Sequence, residues 1–578
     1  MVDISRPWIV DTPISERWPV YTRANVGEVS PSATTPLMWT MIGGPPAERE
    51  WKQALVEFGA FDMDEFREDV IDIQGMIHGY IYLNLSNART FGARMPGASP
   101  ELMDRTYLGE IEAPPYVPHP DDDKPAYTER ILATVQRVLT ERSRPDIDGH
   151  KKIAADLRAS RPDLSAMSDA DLLARTRAII ADPYSPVLHT HLKMVYEGSV
   201  VTGALDQTVA ALGDPSLAIK LMGGLGDIAS AAPNQAMWDL AQLVKADPWL
   251  TAEFDKGLDG LEDRLRASDS ASAKEFVERF DAFLYQFGSR STDEWSAMPK
   301  NWENHRKIPL GMIGRMRLQD DSKHPGANSD RLRRDREELT ASVREGLKDN
   351  PEALAGLDGI LASAELYSRA REQSKTNTIR ILHEARMPIW ELANRYVAKG
   401  VLGRPEDLTM LREDELDSFI EDPQKWVPII AERWEWYDEL SQLEPPFFVD
   451  GVVPPATTWP KKKDPDLQPA MAGTVLHGIG ACAGTATGTA RIITDPEDAE
   501  DLEPGEILVA PLTDPGWTPI FTSAAAVVVN VGASMSHAAI VSRELGIPCV
   551  LGVRGATKKI KDGATLTVDG AAGTVTVH

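Results

Sequence analysis

Cysteine is nearly absent: Cys482 and Cys549 are the only two in 578 residues. Two cysteines make no disulfide framework, and such scarcity fits a reducing compartment, so a cytoplasmic location is expected. Long apolar runs are missing as well. The run 524–529 is far shorter than a bilayer span, and the N-terminus Met-Val-Asp-Ile-Ser-Arg-Pro lacks the basic start and apolar core of a signal peptide. Neither export nor a membrane span is expected. Positive charge is in deficit, with 61 Lys and Arg against 88 Asp and Glu and a net charge of −27. That balance argues against nucleic acid or an anionic membrane as the main partner. No repeat of fixed period and no Gly-x-x-x-x-Gly-Lys-Ser/Thr loop occurs.

With 42% hydrophobic and 26% charged residues, the composition is that of a packed globular protein. The chain is too long for one core, and about three or four domains are expected. Residues 1–120 mix short runs such as Tyr80-Ile-Tyr-Leu with Pro and Gly breaks, which predicts a mixed part with a few strands and helices. Residues 121–444 turn helical: apolar positions return every three or four residues in 128–140, 237–244, 271–287 and 365–385. The proline- and charge-rich span 445–470 reads as a linker. From 471 to 578, and most clearly from Gly473, Gly- and Ala-rich turns separate short β runs at 490–493, 507–510, 525–531, 549–552 and 565–568. They predict a compact α/β domain.

Within that domain the segment Ala526-Val-Val-Val-Asn-Val-Gly-Ala-Ser-Met-Ser-His-Ala-Ala-Ile runs from a buried strand through a glycine turn into a helix. Ser534 or Ser536 can cap that helix, and Gly546 followed by Pro548 supplies its stop. His537 therefore falls in the first helical turn. Unpaired N–H groups and the positive end of the helix dipole favour a phosphate there. Imidazole is a suitable nucleophile, since its unperturbed pKa of about 6.5 leaves it largely neutral near pH 7. Ser536 and Ser534 can donate to phosphoryl oxygens. A lone histidine at this position more often just caps or packs a helix.

This one is not alone. The segment resembles the histidine motif of the phosphoenolpyruvate-utilising enzymes, with Gly532, Ala533, Ser536, His537, Ala539, Ile540, Arg543 and Glu544 on the family pattern. Thr513-Asp-Pro-Gly-Trp-Thr-Pro resembles the family's loop beside the histidine, and Asp562-Gly and Val568-Asp-Gly its closing hairpin. One departure is Ala481-Cys482-Ala483, where a Ser-Pro step is common. The resemblance implies a swivelling domain with His537 as phosphoryl carrier and Ser536, Ser534, Thr513 and Arg543 around the phosphoryl group.

Residues 20–445 resemble, more loosely, the substrate-binding part of rifampicin phosphotransferase. The matching pieces include Thr22-Arg-Ala-Asn-Val-Gly-Glu, Leu221-Met-Gly-Gly-Leu-Gly-Asp, Phe287-Gly-Ser-Arg-Ser-Thr-Asp-Glu, Asn301-Trp-Glu and Arg369-Ala-Arg-Glu, in that order. The fold class expected is thus multidomain: a mainly α substrate-binding region followed by a small α/β swivelling phosphohistidine domain. Neither the barrel that binds phosphoenolpyruvate nor the ATP-grasp motifs are found in these residues. The resemblance then implies a split enzyme like phenylphosphate synthase. A separate ATP-grasp subunit would hold ATP and Mg2+, with no cofactor on this chain, and a phenolic or other small-molecule hydroxyl would accept the phosphoryl group.

That transfer needs a base and cations, for which Arg290, Glu303, Arg380, His383 and Glu384 are the candidates. Arg380 and Glu384, spaced i, i+4, read equally as a helix-surface ion pair. His189 and His191 stand i, i+2 and suggest no metal site, and none is expected. Asp121-Asp-Asp and Lys461-Lys-Lys read as solvated charge. Two other readings stay open: a non-catalytic phosphocarrier or regulatory binding protein, and a complete kinase with an unrecognised nucleotide site.

Overall fold

The computed structural model describes residues 3–67, 70–108, 111–122, 124–210, 217, 221, 232–321, 324–462, 469–495, 498, 501–513, 515–532 and 536–578. The chain is mainly helical up to residue 441 and closes with a small α/β sheet region. It divides into two compact units. One comprises Met1–Pro215, Trp295–Met298 and Pro351–Pro465; the other comprises Ser216–Glu294, Pro299–Asn350 and Asp466–His578.

In the first unit, the 48-residue helix Pro351–Ala398 packs against Pro145–Ala159, Asp169–Ile179 and Ser185–Ala210. Pro351 opens it at a position where a missing N–H costs nothing. Pro388, deep in the helix, removes one intrahelical bond, to the carbonyl of Glu384. Beside this bundle lies a four-stranded antiparallel sheet ordered β2-β3-β1-β4, built from β1 (Val20–Thr22), β2 (Gln74–Ile77), β3 (Tyr80–Asn84) and β4 (Phe448–Asp450).

β4 corrects the expected linker. Its residues pair with β1 in the register Tyr21↔Val449, Trp459 is buried against His78 and Tyr80, and Tyr80 donates to the carbonyls of Leu440 and Leu443. Val449 and Trp459 carry enough apolar surface to fix residues 445–462 onto this core despite the prolines. Residues 463–468 of that span lie outside the described residues.

The second unit holds the helices Ala232–Ala246, Pro248–Asp255, Ala271–Phe287, Lys307–Met316 and Pro325–Gly346 together with an eight-stranded sheet. Asp247 caps Pro248–Asp255 by accepting from the N–H groups of Trp249 and Leu250, both at 2.9 Å. The sheet order is β5-β12-β11-β7-β8-β9-β10-β6. Its strands are β5 (Val475–His477), β6 (Ile479–Cys482), β7 (Thr485–Ile492), β8 (Ile507–Ala510), β9 (Ala526–Val529), β10 (Cys549–Leu551), β11 (Thr565–Asp569) and β12 (Thr574–Val577). β7, β8, β9 and β10 run parallel, flanked by antiparallel partners.

Side chains alternate along β8 and β9 as a pleat requires. Ile507, Val509, Ala526 and Val528 enter one apolar cluster with Val550, Leu566 and Val568. Leu508, Ala510, Val527 and Val529 enter another, shared with Phe276, Phe283 and Ile313 of the helices. Phe276, Phe280 and Phe283 form an apolar stripe on Ala271–Phe287. This shared cluster is why residues 216–294 and 299–350 belong with the C-terminal region rather than with the rest of the expected 121–444 helical domain. Among the described residues, no helix is long and apolar enough to cross a membrane.

Candidate functional site

His537 opens the nine-residue helix His537–Leu545. Ser536 is its N-cap, accepting from the N–H of Ala539 at 3.5 Å, and Gly532 leaves room for that hydroxyl, since a Cβ there would lie 3.2 Å from Ser536 Oγ. The helix ends on Gly546, whose φ of 65° is the left-handed conformation that glycine adopts without steric cost. Ser534, the other expected cap and donor, lies outside the described residues, as do Ala533 and 222–227 of the Leu221 motif.

The imidazole is held from both sides. Thr513 Oγ1 lies 3.1 Å from Nδ1 and Thr518 Oγ1 lies 3.0 Å from Nε2, while Phe521 meets the ring edge-on at 6.0 Å. Thr513 follows β8 and His537 follows β9, so both hang from the carboxyl ends of adjacent parallel strands, where open α/β sheets place their ligands. Thr518 starts the short helix Thr518–Phe521, which is anchored by buried Trp517, Ile520 and Phe521. A neutral imidazole donates at one nitrogen and accepts at the other, and a hydroxyl can do either, so the two threonines hold the ring plane in both tautomers. Helix N–H groups complete an environment suited to a phosphoryl group.

Of the expected phosphoryl-stabilising residues, Thr513 is at the ring and Ser536 caps its helix. Arg543 is directed elsewhere. Six residues beyond His537 it emerges on a different helix face, donates Nε–H to the carbonyl of Ala481 at 2.8 Å, and burial lowers its pKa. Thr518 was missed by sequence reasoning. Its only signal was a second hydroxyl five residues after Thr513 in the Thr-Asp-Pro-Gly-Trp-Thr-Pro stretch.

The substrate-side candidates separate into two groups. Arg290 and Glu303 share the unit of His537. Arg290 is buried and pairs with Glu294 at 2.9 Å; its carbonyl accepts from Trp302 N–H, and Glu303 N–H bonds Gly288. This segment lies against the loop before Thr518, because a Cβ on Gly516 would come within 2.7 Å of the Ser291 carbonyl oxygen. Asp293 within it adopts a φ of 56°, a strained value for a residue with a side chain.

Arg380, His383 and Glu384 lie on Pro351–Ala398 in the first unit. Glu384 is buried and takes a two-point bond from Arg161, Nε and Nη2 both at 2.7 Å, with Arg158 at 3.4 Å. A carboxylate so held is an anion fixed inside the bundle by two arginines, a stronger arrangement than the helix-surface pair its spacing suggested. His383 is buried beside it in sequence. His189 bonds the Glu50 carbonyl and His191 the Ser374 hydroxyl. Among the described residues no group of three or more His, Cys, Asp or Glu side chains converges to hold a metal ion.

Residues 502–573 match the family described as PEP-utilising enzyme, mobile domain. Within the C-terminal region, this stretch is therefore similar to a PEP-utilising mobile domain. Residues 190–377 match the rifampicin phosphotransferase fourth domain, a stretch that runs through both compact units and contains Arg290 and Glu303. The mobile domain and what precedes it are similar to the prodigiosin synthesizing transferase PigC of Serratia marcescens, 25% identical over 610 residues, covering 99% of this chain and 64% of that protein. Rifampicin phosphotransferase of Bacillus cereus is 29% identical over 355 residues, 59% of this chain and 39% of the relative. An uncharacterised protein of Mycobacterium tuberculosis is 38% identical over 219 residues, 38% of this chain and 24% of its own. The chain thus spans between about a quarter and two-thirds of these relatives' lengths.

Proposed function

We propose that this protein is the substrate-binding and phosphohistidine-carrier component of an ATP-dependent phosphotransferase. The observation that carries the reading is the imidazole of His537, held by two threonine hydroxyls at a helix N-terminus within the mobile domain. In the first step a nitrogen of His537 takes the β-phosphoryl group of ATP, with water taking the γ-phosphoryl as phosphate and AMP leaving. A separate ATP-grasp subunit binds ATP and Mg2+ in this reading.

In the second step a small-molecule hydroxyl, phenolic in the preferred reading, attacks phosphorus as the P–N bond breaks. Arg290 supplies a buried cation on the segment beside the histidine loop, and Glu303, whose Cβ lies close to Gly288 of that segment, is a proposed base. Arg380, His383 and Glu384 remain proposed for the acceptor side. Around the transferred group, Ser536 and Ser534 are the proposed hydroxyl donors.

Intact-mass spectrometry of the chain with ATP and Mg2+, with and without an ATP-grasp subunit, tests the reading. One phosphoryl group should appear only with the subunit, vanish in His537→Ala, and discharge on a hydroxyl compound. Labelling with no subunit present would overturn the split arrangement. Stable labelling that no hydroxyl compound discharges would favour a regulatory phosphocarrier.

A further inference from the structure

The two cysteines of the chain, 67 positions apart, are register partners: Cys482 of β6 stands opposite Cys549 of β10 in the antiparallel pairing. Directly opposed residues in such a pair have Cα atoms about 4.5–5.5 Å apart, within the ~4.4–6.8 Å that a disulfide spans. Both side chains lie on one face of the sheet, since Cys549 belongs to the apolar cluster shared with the helices and Cys482 packs against it. The pair is rigidly seated. The pairing shifts register between Cys549 and Val550, and Gly570 approaches so closely that a Cβ would fall 1.9 Å from the Cys482 carbonyl oxygen and 2.8 Å from the Cys549 nitrogen. Both are thiols in this structure; Cys482 is partly exposed and Cys549 buried.

We propose that Cys482 and Cys549 form a reversible disulfide that locks the mobile domain around its histidine. The bond would close a covalent loop containing β7, β8, β9 and the His537 helix. With a peroxide as oxidant, the Cys482 thiolate attacks one peroxide oxygen and hydroxide leaves, giving a sulfenic acid. The Cys549 sulfur then attacks the sulfenic sulfur, the S–S bond forms as the S–O bond breaks, and the sulfenic oxygen leaves as water. Two thiols and one peroxide become one disulfide and two waters, with the two thiols losing two electrons and two protons. Arg543, whose Nε holds the carbonyl next to Cys482, places a positive charge beside both sulfurs and favours the attacking thiolate. Burial opposes it by raising both thiol pKa values, Cys549 to about 12, so Cys482, the more accessible of the two, reacts first.

The test is peroxide treatment of the full chain, followed by alkylation under denaturing conditions and peptide mapping. The untreated chain should take two alkyl groups. The oxidised chain should take none, weigh about 2 Da less through loss of two hydrogens, and yield one linked peptide joining 482 and 549. Its thermal unfolding midpoint should rise, return to the starting value on reduction, and not respond to peroxide in Cys482→Ser. Sulfinic acid on Cys482 with Cys549 still alkylatable would overturn the proposal. So would disulfide-linked dimers, or two free thiols after treatment.

Discussion

Thr518 Oγ1 lies 3.0 Å from Nε2 of His537, on the far side of the ring from Thr513. With a hydroxyl on each nitrogen, one of them must yield its place before a phosphoryl group can bond there. In the proposed reaction the displaced hydroxyl would be free to donate to the phosphoryl oxygens, so the pair would serve twice, first holding the ring and then the charge that arrives on it.

Removing one of these hydroxyls should slow charging without unfolding the domain. Thr518→Val loses one hydrogen bond, about 1.4 kcal/mol, or tenfold in rate. The time course of phosphoryl incorporation by intact mass, compared with the thermal midpoint, measures it. An unchanged rate would show that Thr518 only packs.

Gly516 is predicted to tolerate no side chain. A Cβ would lie 2.7 Å from the Ser291 carbonyl oxygen and 2.8 Å from its carbon, both backbone atoms. Gly516→Val should destabilise the second unit by about 1–3 kcal/mol, read as a lower denaturant midpoint.

The Arg290–Glu294 pair separates structure from chemistry. Arg290→Ala strips the buried carboxylate of a partner 2.9 Å away and should cost about 3–5 kcal/mol. The double variant Arg290→Met with Glu294→Leu should recover most of that stability in urea titration. If it also recovers transfer to the acceptor, Arg290 has no role in the reaction.

His191 should give the fold a pH-dependent component. Burial, aided by Arg371 and Lys375, lowers its pKa from 6.5 to about 3, and it stacks on Trp295 at 6.0 Å. The unfolded chain binds a proton near pH 6.5 and the folded chain does not until about pH 3. The contribution is thus present above 6.5 and is lost as pH falls through that window. Unfolding followed by tryptophan fluorescence between pH 7 and 4 should show the slope, and His191→Phe should flatten it.

Much of this architecture was legible in the sequence. The helix Ala271–Phe287 coincides with the three-to-four-residue apolar return that announced it, and the strand Ile507–Ala510 with a short apolar run buried on both faces. β5 and β6 went unread: Val475-Leu-His and Ile479-Gly-Ala-Cys are short, part-exposed and broken by glycine. β4 was hidden by neighbouring prolines, which mark a chain without regular helix yet do not stop three residues from adding to a sheet edge. The grouping of residues 216–294 and 299–350 with the mobile domain was not readable either. A helix's apolar stripe says that it packs, and only the fold says against what. At the site, the motif pointed to His537 and Thr513, which the structure places 3.1 Å apart, and to Arg543, whose Nε–H bonds the Ala481 carbonyl.

The parallel pairing of β8 with β9 sets the spacing between Thr513 and His537. A slip of one residue would move the strand ends by about 3.3 Å, as much as the hydrogen bond itself, and would turn both apolar faces inside out. The accuracy of the histidine's seat is therefore inherited from the ladder beneath it. Substitutions in the loops above should leave that seat in place as long as the two buried strands keep step.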